Sequence, residues 1–102
     1  MQTNEFLKEC KSLVDDMSYQ QECCDYYLDL FNRNDLTAFY VEFIQDGELT
    51  KQGITFDPKN STPFFMFKEF LQHAAEYHAT KKRELDNQLE DLVKGRYLEN
   101  SH

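Results

Sequence analysis

The chain has 102 residues, a formal net charge of −8 and 40% hydrophobic residues, with 9 Phe and 6 Tyr among them. That describes one domain with a real but small core, too apolar and aromatic to be a disordered chain. The acidic balance repels a nucleic-acid backbone and an anionic membrane surface alike, so the sign favours a basic protein partner or plain solubility.

Only 3 Gly and 2 Pro are present, which disfavours turn-rich all-β folds. No apolar run is long enough to cross a membrane. The opening MQTNEFLKEC has neither a basic nor an apolar leader region, so no signal peptide is expected. The cysteines are Cys10, Cys23 and Cys24, an odd set with an adjacent pair, and a poor disulfide framework. If all three share a helix, Cys10 and Cys24 lie about 21 Å apart along its axis, beyond bridging reach. They read as free thiols in a reducing cytoplasm.

The first element is a helix over residues 4–32. Thr3 or Asn4 can cap it, and Glu5 puts a negative charge in its first turn. Phe6, Cys10, Leu13, Met17, Gln20, Cys24, Tyr27 and Phe31 follow the alternating four-and-three spacing of a helix seam. A second stripe, Tyr19, Cys23, Tyr26 and Leu30, faces away from it. A helix apolar on two sides is sandwiched between two layers, so the long helix is expected on one side and a hairpin or second subunit on the other. Asp15, Glu22, Asp25 and Asp29 form an acidic line between the stripes. The cluster Asn32-Arg33-Asn34-Asp35 ends the helix.

Residues 36–56 read as a β-hairpin. Phe39, Val41 and Phe43 alternate with Ala38, Tyr40 and Glu42, and Asp46-Gly47 is a strong signal for a type I′ turn. That turn sets Ile44 opposite Leu49, Glu42 opposite Lys51 and Phe39 opposite Ile54, with Glu42–Lys51 a favourable cross-strand pair. A longer loop around Gly47 or Gly53 is the alternative. Phe39, Val41, Phe43, Ile54 and Phe56 share one face. A lone two-stranded hairpin is marginal, so it must pack on the helices or extend a sheet in a partner subunit.

After a loop at residues 57–61, Thr62 suits a helix N-cap with Pro63 at the first helical position. The helix expected over residues 63–94 contains no Gly and no further Pro. It would be about 45 Å long, against a radius of gyration of about 13 Å for a compact 100-residue domain. It must therefore project, bend near Ala79-Thr80, or lie along another long helix. Phe67, Phe70, Leu71, Ala74, Tyr77, His78, Leu85, Leu89 and Leu92 form its apolar stripe, interrupted by Lys81 and Gln88. Gly95 suits a C-terminal cap, with residues 96–102 a frayed tail.

Chemistry-bearing groups are few. Glu69 and His73 stand one turn apart and could share a metal, with His78 and Glu76 nearby. His78 lies on the apolar stripe and His73 does not, so His78 reads as a satisfied core or interface histidine. Cys23-Cys24 lacks the spacer of a redox pair and reads as buried structural thiols. Glu22 and Asp25 have the spacing of helix-borne Mg²⁺ carboxylates. Glu84, Asp86, Glu90 and Asp91 on the long helix do not repeat it, which leaves a carboxylate-metal helical-bundle hydrolase as a distant alternative. Lys81-Lys82-Arg83 is the only basic cluster, too small to argue for direct nucleic-acid binding. Lys82 and Arg83 can pair with Asp86 or Asn87. Phe64, Phe65, Met66, Phe67 and Phe70 exceed what one stripe can bury, and Phe64, Phe65 and Met66 are the best candidate contact residues. No phosphate-cradling Gly loop, nucleophile elbow or nucleophile–base set is visible.

The expectation is an α+β, mostly helical fold. Two long antiparallel helices flank a β-hairpin in the order α-β-β-α, in a helix-mediated homodimer. Phe6, Leu13, Met17, Cys24, Phe31, Phe67, Leu71, His78, Leu85, Leu89 and Leu92 form its seam. The expected function is that of a non-enzymatic acidic interaction protein without cofactor. It binds and regulates, in the manner of an inhibitor, a basic partner such as a nucleic-acid-processing protein. Asp15, Glu22, Asp25 and Asp29, with Phe64, Phe65 and Met66, are the candidate partner-binding residues. The alternative is a small dimeric chaperone or adaptor with an exposed aromatic surface.

Overall fold

The computed structural model describes residues 2–56 and 61–100. Its elements run α1 (Thr3–Phe31), β1 (Ala38–Gln45), β2 (Glu48–Thr55) and α2 (Thr62–Asn100). The architecture is therefore two long helices with an antiparallel two-stranded hairpin between them. The loop expected at residues 57–60 lies outside the described residues.

The helices are antiparallel, tied at both ends. At one end, the Lys68 ammonium donates to the carbonyls of Phe31 and Arg33, at 2.7 Å for the latter. At the other, Arg96 Nη2 donates to Thr3 Oγ1 at 2.7 Å, with its guanidinium 5.4 Å from the Phe6 ring centroid. The α1 seam residues from Phe6 to Phe31 are half-buried, and Cys24 is buried. On α2, Phe67, His78, Leu85, Leu89 and Leu92 are half-buried, while Leu71 and Ala75 are buried. Leu71, at 1% exposure, is the best-covered large side chain. Polar groups meet between the helices: His78 Nδ1 and Gln20 Oε1 are 2.6 Å apart, and Lys82 Nζ donates to Gln21 Oε1 at 2.6 Å. Lys82 thus reaches across to α1 rather than along its own helix, and Lys81 pairs with Glu84 at 3.4 Å.

Both helix starts are displaced from their expected caps. The α1 N-cap is Gln2, without a side-chain cap bond, and the Thr3 hydroxyl accepts from Arg96. In α2, Ser61 Oγ accepts the Phe64 N–H at 3.1 Å. The cap therefore falls one residue before Thr62, and its hydroxyl reaches past Pro63, which has no N–H to offer. The far end of α2 also differs. The helix passes through Gly95 and continues to Asn100. A glycine costs about 1 kcal/mol inside a helix, and the residue after it, Arg96, bonds Thr3 and lies over the Phe6 ring. There is no break at Ala79-Thr80. A straight helix of 39 residues spans about 58 Å, which accounts for a molecule of 64 × 35 × 15 Å and a radius of gyration of 20.1 Å.

The hairpin register pairs Ile44 with Leu49, Glu42 with Lys51 and Phe39 with Ile54. Asp46 (φ 53°) and Gly47 (φ 81°) both occupy the left-handed region, as a type I′ turn requires. Tyr40 faces Gly53, where a Cβ would stand 2.6 Å from Tyr40 Cε1, so the ring lies directly over the glycine. The base of the hairpin packs on the first turns of α2. Phe39 stacks on Phe67 at 4.5 Å, and Phe56 meets Phe64 at 5.5 Å and Phe67 at 5.8 Å. Phe56 and Phe64 are buried there. The hairpin packs on α2 and not on the second stripe of α1, and among the described residues nothing supplies the second layer expected there: Tyr19 and Tyr26 remain 60% and 61% exposed.

Candidate interaction surfaces

Two surfaces stand out. The first is the acidic line. Asp15, Glu22, Asp25 and Asp29 are all exposed, on the side of α1 away from α2. Asp15 takes Lys11 at 3.0 Å, Asp25 accepts from Gln21 at 2.8 Å, and Asp29 takes Arg33 at 3.4 Å. These partners lie four residues away along the same solvated surface, are worth little each, and leave the line accessible to an external cation. Glu22 has no ion pair among the described residues.

The second is an aromatic ladder crossing three elements. Tyr26 meets Tyr27 at 5.5 Å, Tyr27 meets Phe70 at 6.4 Å, Phe70 meets Phe67 at 6.4 Å, and Phe67 meets Phe39. Tyr27 also stacks on His78 at 5.6 Å. Tyr26 at one end is 61% exposed and Phe70 in the middle 57%, and Met66, which lines a groove with Phe67 and Phe70, is 64% exposed. Of the three contact candidates on α2, Phe64 is buried against Phe56. Phe65 is exposed beside it on another side of the helix, and Met66 is exposed toward β1. The acidic line and the α2 aromatics therefore do not form one site.

The metal-type groupings do not assemble. His73 is exposed and its nearest acidic partner is Glu76 at 3.7 Å, while His78 is turned to Gln20. No group of three or more His, Cys, Asp or Glu among the described residues is placed to hold a metal ion. Cys10 and Cys23 are half-buried, Cys24 is buried, and all three are free. Cys23, one turn away, holds the Tyr19 phenol above the ordinary 10.0. Among the described residues, no helix is long and apolar enough to cross a membrane.

Two features escaped the reading of the sequence. Lys68 binds the end of α1, and its ammonium sits 5.0 Å from the Phe31 ring and 5.3 Å from the Phe64 ring. A lysine at that position carries no local signal, because its acceptors lie more than thirty residues back. The other is the setting of Glu42. Its cross-strand partner Lys51 lies over the Tyr40 ring at 4.8 Å instead, leaving the Glu42 carboxylate without an ion pair among the described residues.

What the geometry defines is an elongated helical pair bearing a small hairpin, with open acidic and aromatic surfaces. No protein-family model, no curated protein and no solved structure matches the chain.

Proposed function

We propose that this chain is a non-enzymatic acidic interaction module that binds and regulates a basic protein partner, in the manner of an inhibitor. The observation that carries the reading is the exposed line Asp15, Glu22, Asp25 and Asp29 on the outer side of α1, in a chain of net charge −8. Fixed carboxylates on a long rigid helix steer a cationic partner and set its register. A nucleic-acid-processing protein is a natural partner class, since such proteins carry clustered Lys and Arg. Three free thiols suit a reducing cytoplasm.

The test is kinetic. A partner captured on the full chain should associate several-fold more slowly as salt rises from about 0.05 to about 0.5 M. The variant Asp15→Asn/Glu22→Gln/Asp25→Asn/Asp29→Asn should lose most of that dependence. An association rate indifferent to salt would remove the charge argument.

Two further readings have their own observations. The exposed stripe Tyr19 and Tyr26 on α1 favours a homodimer packed helix on helix. Exposed Phe65, Met66 and Phe70 favour a chaperone or adaptor role. For that role, Phe65→Asp should abolish partner binding with the melting temperature unchanged. Retained binding would dismiss it.

A further inference from the structure

Among the described residues, β1 is bonded to β2 on one side only. Along its other side, Phe39, Tyr40, Val41 and Glu42 face Met66, Phe67 and Phe70 of α2 across a groove of ≈ 590 Å³. Four consecutive strand residues alternate between the two faces of a hairpin, and no β2 residue lines the groove. A groove touched by both faces of β1 and by neither face of β2 runs along the open edge of β1. The ladder fixes which backbone groups point into it. Phe56 N–H donates to Thr37 O at 2.8 Å, so Thr37 opposite Phe56 is a hydrogen-bonded position, and such positions alternate along an antiparallel pair. Phe39 and Val41 therefore bond inward to Ile54 and Gln52. The N–H and C=O of Tyr40 and Glu42 turn outward.

We propose that this edge is the site at which an extended segment of the basic partner adds as a third strand. This rests on the reading of the chain as a module for a basic protein. The outward groups of Tyr40 and Glu42 match the backbone of an extended segment, which gives affinity without sequence. Met66, Phe67 and Phe70 form an apolar wall that receives alternate side chains, with Met66 able to adapt to their shape. Glu42 is the charged side chain lining the groove, and its lack of an ion pair selects Lys or Arg on the incoming segment. The same charge argues against self-pairing. A second copy would bring another Glu42 and another chain of −8 to one edge.

The probe is a displayed library of random peptides about twelve residues long, selected on the full chain. Its best sequence is then synthesised with and without N-methyl groups at alternate positions. The selected peptides should alternate apolar residues and carry Lys or Arg. At saturation the outward-facing Tyr40 and Glu42 amides should exchange roughly tenfold more slowly than in the free chain. N-methylation and, separately, Met66→Lys should each weaken binding by roughly tenfold, and Glu42→Gln by several-fold. Basic peptides that perturb only Asp15, Glu22, Asp25 and Asp29 would overturn the groove and leave the basic-partner reading standing. Acidic or uncharged peptides bound in the groove would overturn the choice of partner. Tyr40 and Glu42 amides that are already slow in the chain alone, and quicken on dilution, would assign the edge to a second copy and overturn the proposal. So would failure to enrich any peptide.

Discussion

The last turn of α1 contains no basic residue, yet its final carbonyls carry the negative end of the helix dipole. Lys68 supplies the missing cation from α2, bonding two carbonyls at once. Lys68→Met keeps the stem packed on Phe31 and Phe64 and removes only the charge and its donors. It should cost about 1 kcal/mol of unfolding free energy, read from urea titrations. No loss would mean that water serves those carbonyls equally well. Gly53 is a second residue whose role is set by a neighbour. Its missing Cβ is what lets the Tyr40 ring lie across the strand pair, with Lys51 above the ring. Gly53→Ala should swing that ring away and destabilise the hairpin by up to about 1 kcal/mol, seen as faster amide exchange at Val41 and Gln52. Unchanged exchange would show that the ring contributes nothing to the strand pair.

At the scale of elements, the two helices and the hairpin were legible because each carries a local signature. The seam from Phe6 to Phe31 repeats as a helix face, and Asp46-Gly47 demands left-handed backbone at two successive positions, which sets the register of both strands. The end of α2 was not legible. Gly95 is a local stop signal, yet the helix runs on through Arg96, which bonds a residue more than ninety positions away. The acidic line could be read from spacing alone, whereas the groove could not, since its walls come from segments that only folding brings together. The same tertiary logic joins Gln20 and His78, polar members of two facing seams that satisfy each other. Polar seam residues lower stability while specifying register. Gln20→Leu with His78→Leu should therefore raise unfolding free energy by about 1 kcal/mol and give more than one set of amide resonances along α1. A double variant that melts earlier would mean that the pair is net stabilising.

For the whole molecule, the deciding quantity is how little one chain covers. Among the described residues, Cys24, Phe56, Phe64, Leu71 and Ala75 are the buried hydrophobic ones, in a body 15 Å across its thinnest direction. Two helices side by side bury one seam and leave the rest of each helix to solvent. A second copy on Tyr19 and Tyr26 would give α1 the layer its two-sided pattern asks for. Two chains of −8 repel each other, so this association and the binding of a basic partner must respond to salt with opposite signs. Raising salt from about 0.05 to about 0.5 M shortens the screening length from about 14 to about 4 Å. Light scattering should then find the mass moving from 12.2 kDa toward twice that value as salt increases, and Tyr26→Asp should hold it at the monomer. A mass fixed at the monomer across that range would place the exposed stripe of α1, like the edge of β1, on the side of partners rather than of self-association.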